Sequence, residues 1–201
     1  MQRVPQALLD RLTRGGVHQG VVAEVEDAAP GASLEDLVRL ADGTADGRAP
    51  LLVVLDSIED PQNVGAILRT VDAAGATGVV RQTRHAAHLG GAAAKAAAGA
   101  AAHVRVADVV NIARALEELK ELGVWTVGLA GEGPTLYTQV DFTLPTALVV
   151  GAEGGGLRRL VRERCDWLVR IPMAGHVGSL NVSVATGVAL FEAVRQRTLA
   201  K

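Results

Sequence analysis

Aromatic residues are scarce in this chain, at 2% of its 201 residues. Proteins that bind single-stranded nucleic acid by stacking bases need several exposed aromatic side chains, so this composition disfavours a base-stacking binder. The formal net charge is only −2 at pH 7, and overall charge therefore does not indicate a nucleic-acid partner. Four arginines between positions 158 and 164 concentrate positive charge locally. Such a run is more often a solvated helix face than an RNA contact.

The chain has a single cysteine, Cys165, so it cannot form an intrachain disulfide bond. One free thiol is typical of a reducing compartment, and we expect a cytoplasmic protein. No apolar run approaches the ~20 residues that a membrane-spanning helix needs, so we expect no membrane partner. The first twenty residues carry charged side chains but no apolar core, which argues against a signal peptide.

The hydrophobic content, 49%, is enough for a globular protein with one sizeable core. We expect three regions: a short appendage at 1–20, an edge strand and linker at 21–49, and a larger domain at 50–201. The edge strand is predicted at Val21–Val25. The linker is rich in Ala, Gly, Asp and Pro, with a small helix near Leu34–Leu40.

Strands and helices alternate after residue 50. The run Leu51–Leu55 is apolar throughout, which is typical of a strand buried on both faces of a parallel sheet. Further strands are predicted at Gly78–Val80, Val104–Val106, Val124–Leu129, Ala147–Val150 and Trp167–Ile171, and helices at Asn63–Ala74, Ala86–Ala102 (with glycine interruptions), Asn111–Leu122, Leu157–Arg164 and Leu180–Arg197. This order predicts an α/β fold with a mostly parallel sheet and helices on both faces.

Three segments carry residues suited to chemistry. The first follows the Leu51–Leu55 strand and runs from Asp60 to Arg69. Asn63 is expected to cap the helix that starts there, and the apolar spacing turns Arg69 away from the core. Open α/β sheets bind ligands at the carboxyl ends of their strands, so Arg69 is placed to face a ligand. An ordinary cap and an ordinary surface arginine are the alternatives.

The second segment, residues 149–157, joins a strand to a helix through a glycine-rich loop. Glycine at 151 lets a ligand approach the backbone closely, and a helix start offers free N–H donors. The loop lacks the Gly-Lys-Ser/Thr of a phosphate-binding Walker loop and the spacing of a dinucleotide fingerprint. Glu153 would repel a phosphate, but its carboxylate can bind a ribose, an amine or a main-chain N–H.

The third segment, residues 171–185, leaves a strand and enters the last helix. Ser179 and Asn181 are both good N-cap residues, so capping explains them as well as a catalytic role does. The helix that follows is apolar on a broad face that includes Val184 and Phe191. Such a helix is either fully buried or lies in a subunit interface.

Together and in this order, the three segments resemble the three motifs of the SpoU/TrmH family of RNA ribose methyltransferases. The resemblance covers about Gly16 to Arg197, and the stretches 17–20 and 190–197 resemble a branch that acts on a guanosine of 23S ribosomal RNA. It implies methyl transfer from S-adenosylmethionine to a ribose 2′-hydroxyl, without a metal. It also implies a C-terminal trefoil knot and a homodimer with the site at or near its interface.

The resemblance also assigns roles to individual residues. Five positions correspond to catalytic or site-forming residues: Asn63, Arg69, Glu153, Ser179 and Asn181. Five correspond to contacts with the methyl donor: Leu129, Gly151, Ile171, Met173 and Leu180. Arg69 is expected to bind an RNA phosphate or to stabilise the developing alkoxide, because a guanidinium stays protonated and is a poor base. Glu153 is expected to anchor the motif loops or to assist proton removal.

The chain departs from the family pattern at its start. Only the last stretch of a small RNA-binding domain is recognisable, around Val4–Gly15, so we expect a truncated or shortened relative with altered RNA affinity. A tRNA ribose substrate and a non-catalytic RNA-binding or ribosome-assembly factor remain alternatives. An oxidoreductase that binds a nucleotide at Gly151–Gly156 is disfavoured, because no ribose-binding acid follows about 20 residues later.

Overall fold

The structure is a computed structural model. It describes residues 3–13, 18, 20–22, 31–42, 48–84 and 91–200. The chain divides into two units, Met1–Pro30 and Gly31–Lys201. Within the first unit, the described part forms helix α1 (Gln6–Leu12), and the His18 ring hydrogen bonds to the Asp10 carboxylate at 2.8 Å.

The second unit is an α/β fold built on a seven-stranded sheet. Its strands are β1 (Leu51–Asp56), β2 (Gly78–Gln82), β3 (Val106–Val109), β4 (Trp125–Leu129), β5 (Thr135–Leu136), β6 (Thr146–Gly151) and β7 (Trp167–Arg170). Its helices are α2 (Leu34–Asp42), α3 (Pro61–Ala73), α4 (Ala92–Ala97), α5 (Ile112–Glu121), α6 (Arg159–Arg164) and α7 (Val182–Leu199). The strand order is β3-β2-β1-β6-β4-β7-β5, and these strand pairs are all parallel. The predicted parallel α/β fold is confirmed, whereas the trefoil knot stays a prediction.

The central strands β1 and β6 are buried along almost their whole length because helices cover both faces of the sheet. In β1, Val53 and Leu55 pack into one core with α3 and α7. Leu52 and Val54 point to the opposite face and pack into a second core with α2, α5 and α6. Burial on both faces explains why the sequence of this strand is apolar throughout rather than alternating.

Helix α3 begins two residues earlier than predicted, and its cap is Asp60 rather than Asn63. The Asp60 carboxylate accepts a hydrogen bond from the main-chain N–H of Gln62 at 3.0 Å. Pro61 suits the first turn because the N–H groups there have no acceptor within the helix, so the N–H that proline lacks is not needed. Asn63 therefore lies inside the first turn, 6% exposed, and its side chain is free to bond elsewhere.

Other predicted elements differ at their ends. Val21 and Val22 are not in a strand, and the rest of the predicted edge strand lies outside the described residues. The predicted alanine-rich helix is shorter, comprising α4 and a 3₁₀ turn at Ala100–Ala102. Gly99, with φ +93°, separates the two, and residues 86–90 are not described. Among the helices described, none is long and apolar enough to cross a membrane.

Candidate active site

The carboxyl ends of three neighbouring strands, β6, β4 and β7, border a cleft of about 690 Å³. The loops that follow these strands complete its walls, at 130–132, 152–157 and 171–181. Small ligands of open α/β sheets bind at this edge, because the loops there diverge and leave a crevice. The fold thus places the second and third sequence segments around one opening.

The residues predicted to contact the methyl donor all line this cleft: Leu129, Gly151, Ile171, Met173 and Leu180. Leu129 and Gly151 are the last residues of β4 and β6, and Ile171 directly follows β7. Parallel pairing brings these strand ends to the same edge, although they are far apart in sequence. The cleft therefore presents apolar side chains together with main-chain groups.

The glycine loop (Gly151–Gly156) folds back on itself at the cleft wall. The main-chain N–H of Gly156 donates to the Ala152 carbonyl at 2.8 Å, in an isolated antiparallel bridge. A Cβ atom on Gly151 would lie 2.2 Å from the main-chain carbonyl carbon of Gly156. Glycine is therefore required at 151 by the close approach of the loop's own backbone, in addition to any ligand.

Asn63, Glu153 and Asn181, one from each sequence segment, form a hydrogen-bonded cluster. The side-chain amide of Asn181 donates to Oδ1 of Asn63 at 2.9 Å and to Oε1 of Glu153 at 2.5 Å. Its Oδ1 atom accepts from the main-chain N–H of Ser183 at 2.9 Å and so caps helix α7. Asn181 therefore has both of the roles considered for it, capping one helix and joining three segments.

The orientation of the Asn181 amide follows from its neighbours. Its oxygen faces the free N–H groups at the start of α7, so its NH2 group must face the oxygen atoms of Asn63 and Glu153. This geometry explains the carboxylate in the glycine loop, since Glu153 accepts a hydrogen bond from an amide. The third segment thereby fixes the position of the second.

Ser179 lines the cleft, but the expectation that it caps α7 is wrong, because Asn181 fills that position. Its side chain is exposed and forms no hydrogen bond with any residue that the structure describes. The Ser179 hydroxyl is thus available to a ligand at the cleft wall.

Arg69 is the predicted site residue that neither lines the cleft nor joins the cluster. Its side chain is exposed on α3, as the apolar spacing predicted, while Ile67 and Leu68 beside it are buried. It forms no hydrogen bond or ion pair with another residue in the described ranges. None of the described residues therefore neutralises its guanidinium, which is held by a helix whose first turn is hydrogen bonded to the cluster through Asn63.

Glu132 and Arg162 also line the cleft and form an ion pair with each other, which the sequence did not predict. A hydrogen bond from its own main-chain N–H, and then the Arg162 charge, lower the pKa of Glu132, so it is a carboxylate at neutral pH. Its position, three residues after the end of β4, was the available signal, because polar residues at strand ends commonly face ligands.

The four arginines between 158 and 164 all form ion pairs with carboxylates. Arg158 binds Asp56, Arg159 binds Glu163, Arg162 binds Glu132 and Arg164 binds Glu117. Their charges are thus compensated locally, which agrees with a helix face that interacts with the protein itself.

Cys165 is mostly buried behind this helix, and burial raises the pKa of its thiol to about 12. It therefore stays protonated at neutral pH and is not a nucleophile. In the part of the chain that the structure describes, no three His, Cys, Asp or Glu side chains are arranged to hold a metal ion.

Sequence comparison places the chain among RNA methyltransferases. The SpoU rRNA Methylase family matches residues 50–191, and a family described as RNA 2′-O ribose methyltransferase substrate binding matches residues 1–30. The chain is 52% identical to the 23S rRNA (guanosine-2′-O-)-methyltransferase RlmB of Pseudomonas syringae pv. tomato, over 91% of this chain and 72% of the relative. It is 46% identical to the Putative TrmH family tRNA/rRNA methyltransferase YacO of Bacillus subtilis, over 98% and 78%.

Solved structures of the same family share the fold of this chain. The SpoU methyltransferase AviRb from Streptomyces viridochromogenes, in complex with the cofactor AdoMet, superposes with a TM-score of 0.70 at 32% identity. That alignment covers 75% of this chain and 59% of the AviRb chain, less than two thirds of its length. The A. aeolicus TrmH/SpoU tRNA modifying enzyme gives 0.69 at 32% identity, over 83% and 84%. The chain belongs to the SpoU rRNA methylase family.

Proposed function

We propose that this protein transfers a methyl group from S-adenosylmethionine to the ribose 2′-hydroxyl of a guanosine in 23S ribosomal RNA. The observation that carries the proposal is the cluster of Asn63, Glu153 and Asn181 at the wall of the cleft. It unites the three segments that mark this family. Relatives that share half of the sequence are named for this reaction.

The cleft suits this methyl donor. Its volume of about 690 Å³ lies within the range of ~300–1,000 Å³ usual for small-molecule sites. Its lining includes two carboxylates, Glu132 and Glu153, and one basic side chain, Arg162. These charges favour a donor with a sulfonium and an ammonium group over a nucleotide phosphate. Leu129, Gly151, Ile171, Met173 and Leu180 are the residues that would hold it.

When bound, S-adenosylmethionine would supply a methyl group to in-line attack by the ribose oxygen on the methyl carbon, while the carbon–sulfur bond breaks and the sulfur leaves as the neutral thioether S-adenosylhomocysteine. The residues of the chain then have two tasks, to orient the reactants and to stabilise the oxygen as it loses its proton. Arg69 serves the second task by binding an RNA phosphate or the developing alkoxide. Because Arg69 is itself protonated, the hydroxyl proton leaves to an RNA phosphate or to water.

Asn63 and Asn181 position the site rather than move protons, since amide groups do not titrate near neutral pH. Their hydrogen bonds hold the starts of α3 and α7 beside the glycine loop, and so fix Arg69 relative to the cleft. Glu153 anchors the loop to this cluster. Ser179, whose hydroxyl has no described partner, contacts the donor or the ribose from the opposite loop.

The remaining features of the proposal concern assembly and location. The active form is a homodimer, and residues 1–20 belong to a substrate-binding domain, which is followed by a linker at 21–49 and the methyltransferase domain at 50–201. The match of residues 1–30 to a substrate-binding family supports an RNA-binding role for this region. We expect the protein to act in the cytoplasm, where its RNA substrate is found.

Transfer RNA is a second candidate substrate. The Bacillus subtilis relative, which aligns with nearly the whole chain, is named as a tRNA/rRNA methyltransferase. The fold is also that of a tRNA modifying enzyme from A. aeolicus. Both substrates present the same ribose 2′-hydroxyl, so the residues of the cleft do not distinguish them.

The test supplies the purified protein with donor carrying a labelled methyl group and with unmodified 23S rRNA or tRNA. We expect label in 23S rRNA at one guanosine, where the following phosphodiester resists alkaline hydrolysis because its 2′-oxygen is blocked. Label in tRNA alone would reassign the substrate. Donor binding by calorimetry without transfer to either RNA would favour a non-catalytic RNA-binding factor. A protein that binds no donor would contradict the proposal.

A further inference from the structure

Asp56, the last residue of β1, is a fully buried carboxylate, with 0% of its surface exposed. It binds Arg158, 102 residues later in the sequence, through two hydrogen bonds. Its Oδ2 atom accepts from the main-chain N–H of Arg158 at 2.8 Å, and its Oδ1 atom accepts from Nε at 2.6 Å. A buried charge requires such compensation, so this contact strongly restricts where Arg158 can lie.

Arg158 lies just beyond the glycine loop, and the other end of that loop also adjoins Asp56. In the pairing of β1 with β6, Asp56 is the register partner of Gly151. Asp56 therefore lies beside the start of the loop through its main chain and binds the end of the loop through its carboxylate. The loop closes between these points through the bridge of Ala152 with Gly156.

The contact extends across the carboxyl edge of the sheet. The Nη2 atom of Arg158 donates to Oε1 of Gln82, the last residue of β2, at 2.8 Å. Directly after Asp56 the chain turns through Ser57, which has an unusual positive φ of 61°, toward the cap of α3. The end of β1 is thus a fixed point from which both the glycine loop and the segment carrying Asn63 are placed.

We propose that Asp56 and Arg158 are positioning residues for methyl-donor binding: they hold the glycine loop in the shape that lets Gly151 and Glu153 line the cleft. Neither residue lines the cleft itself. The inference rests on the proposed function, because it assumes that the donor binds there. It predicts that a substitution of Arg158 weakens donor binding although Arg158 does not itself contact the donor.

The principal variant is Arg158→Met, which removes the guanidinium and keeps the main-chain N–H. The matched control is Asp166→Asn. Asp166 also binds a cation, Lys120, and main-chain and hydroxyl groups of Thr126, but it lies before β7 at the opposite edge of the sheet. A merely structural role predicts lower melting temperatures for both variants and an unchanged donor dissociation constant for both.

We expect Arg158→Met to raise the donor dissociation constant at least about tenfold, since small displacements of site groups have effects of this size or larger. Asp166→Asn is expected to bind donor like the wild type at a temperature where both are folded. Arg158→Lys is expected to recover part of the affinity, because an ammonium can pair with Asp56 without the second bond to Gln82. Wild-type affinity in Arg158→Met would overturn the inference.

Amide hydrogen exchange of the 151–157 segment gives a readout that does not depend on donor. We expect faster exchange there in Arg158→Met and not in Asp166→Asn, and unchanged exchange would also overturn the inference. If Arg158→Met does not fold, Asp56→Asn, which keeps the side-chain shape, is measured in the same two ways. If the wild type binds no donor, the proposed function fails, and the exchange measurement alone decides the role of Asp56 and Arg158.

Discussion

At the scale of the residue, Asn181 shows how one side chain serves two purposes. Its oxygen caps α7 and its nitrogen bonds Asn63 and Glu153. Substitution by alanine would remove both roles at once and would not separate them. Aspartate is also a good cap, since its oxygen can accept the same N–H bonds, but it offers no donor to the other two residues.

We therefore predict that Asn181→Asp keeps α7 capped but breaks the cluster. The new carboxylate would face the oxygen of Asn63 and the carboxylate of Glu153. Asn181 and Glu153 are exposed, so water screens their repulsion, and the cost in unfolding free energy arises mainly from the Asn63 oxygen, which is buried and would lose its donor, at about 1 kcal/mol. Methyl transfer should fall sharply at pH 8. Repulsion raises the pKa of one of the two carboxyl groups, so part of the stability should return as pH falls and that group gains a proton.

The measurement is a denaturant titration and a single-turnover methylation assay, each at pH 5.5 and pH 8. Asn111→Asp is the matched control, because Asn111 caps α5 in the same way and, among the residues that the structure describes, its side chain hydrogen bonds only within its own helix. A variant at 181 that behaves like the one at 111 in both assays would show that Asn181 acts only as a cap.

Arg69 is the second residue whose role can be isolated. It is exposed and has no partner among the described residues, so Arg69→Ala should change the unfolding free energy by no more than about 0.5 kcal/mol. Turnover should nevertheless fall ~100-fold or more if the guanidinium stabilises charge on the ribose oxygen or holds its phosphate. Arg69→Lys should recover little, because an ammonium lacks the planar pair of donors.

Single-turnover methylation, donor calorimetry and a thermal melt together test this prediction. Donor affinity should be unchanged because Arg69 lies outside the cleft. Arg114→Ala is the control, since Arg114 is likewise exposed, on α5, which covers the other face of the sheet. Near-normal turnover in Arg69→Ala would show that Arg69 has no catalytic role, and the proposed assignment of the active site would then be wrong.

At the scale of the element, the glycine loop is shaped by its own backbone. A Cβ at 151 would lie 2.2 Å from main-chain atoms of Gly156, so Gly151→Ala must displace the loop. We predict a loss of ~1–3 kcal/mol in unfolding free energy, as for other overpacked sites, and a clear loss of donor affinity. Gly175→Ala should have neither effect, because Gly175 does not line the cleft and a Cβ there meets no atom within 4 Å. Equal donor affinities by calorimetry and equal melting temperatures for the two variants would contradict this prediction.

The elements themselves could largely be predicted from the sequence because their signals are local. The apolar run of β1, the helical pattern of α5 and the Asn181 cap of α7 all depend on neighbouring residues. The start of α3 was misplaced because two good caps, Asp60 and Asn63, lie three residues apart. Pro61, which is favoured at the first helical position, was a local signal for Asp60, and the tertiary fold pairs Asn63 with Asn181 at the start of α7 instead.

The candidate site was predictable to a different degree. The family resemblance gave most of its members but not Glu132 and Arg162, and a pattern of three segments carries no information on which atoms meet. The bonds of Asn181 join residues 118 and 28 positions away, and no local rule predicts such distances. The same holds for Arg158, which the sequence placed in a solvated charge run. Its partner, Asp56, belongs to a strand that becomes its neighbour only in the folded sheet.

At the scale of the whole molecule, helix α7 has two apolar sides. Ala189, Leu190 and Ala193 are buried in the core that it shares with α3 and β6. Val184 and Phe191, seven residues apart and hence on one stripe, are 51% and 50% exposed. A helix of this kind normally covers its outer side with another surface, which supports the proposed homodimer.

We predict that the outer stripe of α7 forms the interface between two copies of the chain. Phe191→Glu places a charge in this apolar surface and should shift the protein toward monomer, since an uncompensated charge opposes burial. Val110→Glu is the control, because Val110 is equally apolar and 79% exposed but lies after β3, away from α7. Sedimentation equilibrium at micromolar concentration should give a dimer for the wild type and for Val110→Glu, and a monomer for Phe191→Glu. Because Val184 lies one turn from Asn181, loss of the dimer should also lower methyl transfer at donor concentrations that saturate the dimeric protein. A wild-type chain that sediments as a monomer and still methylates RNA would refute both the interface and its link to the site.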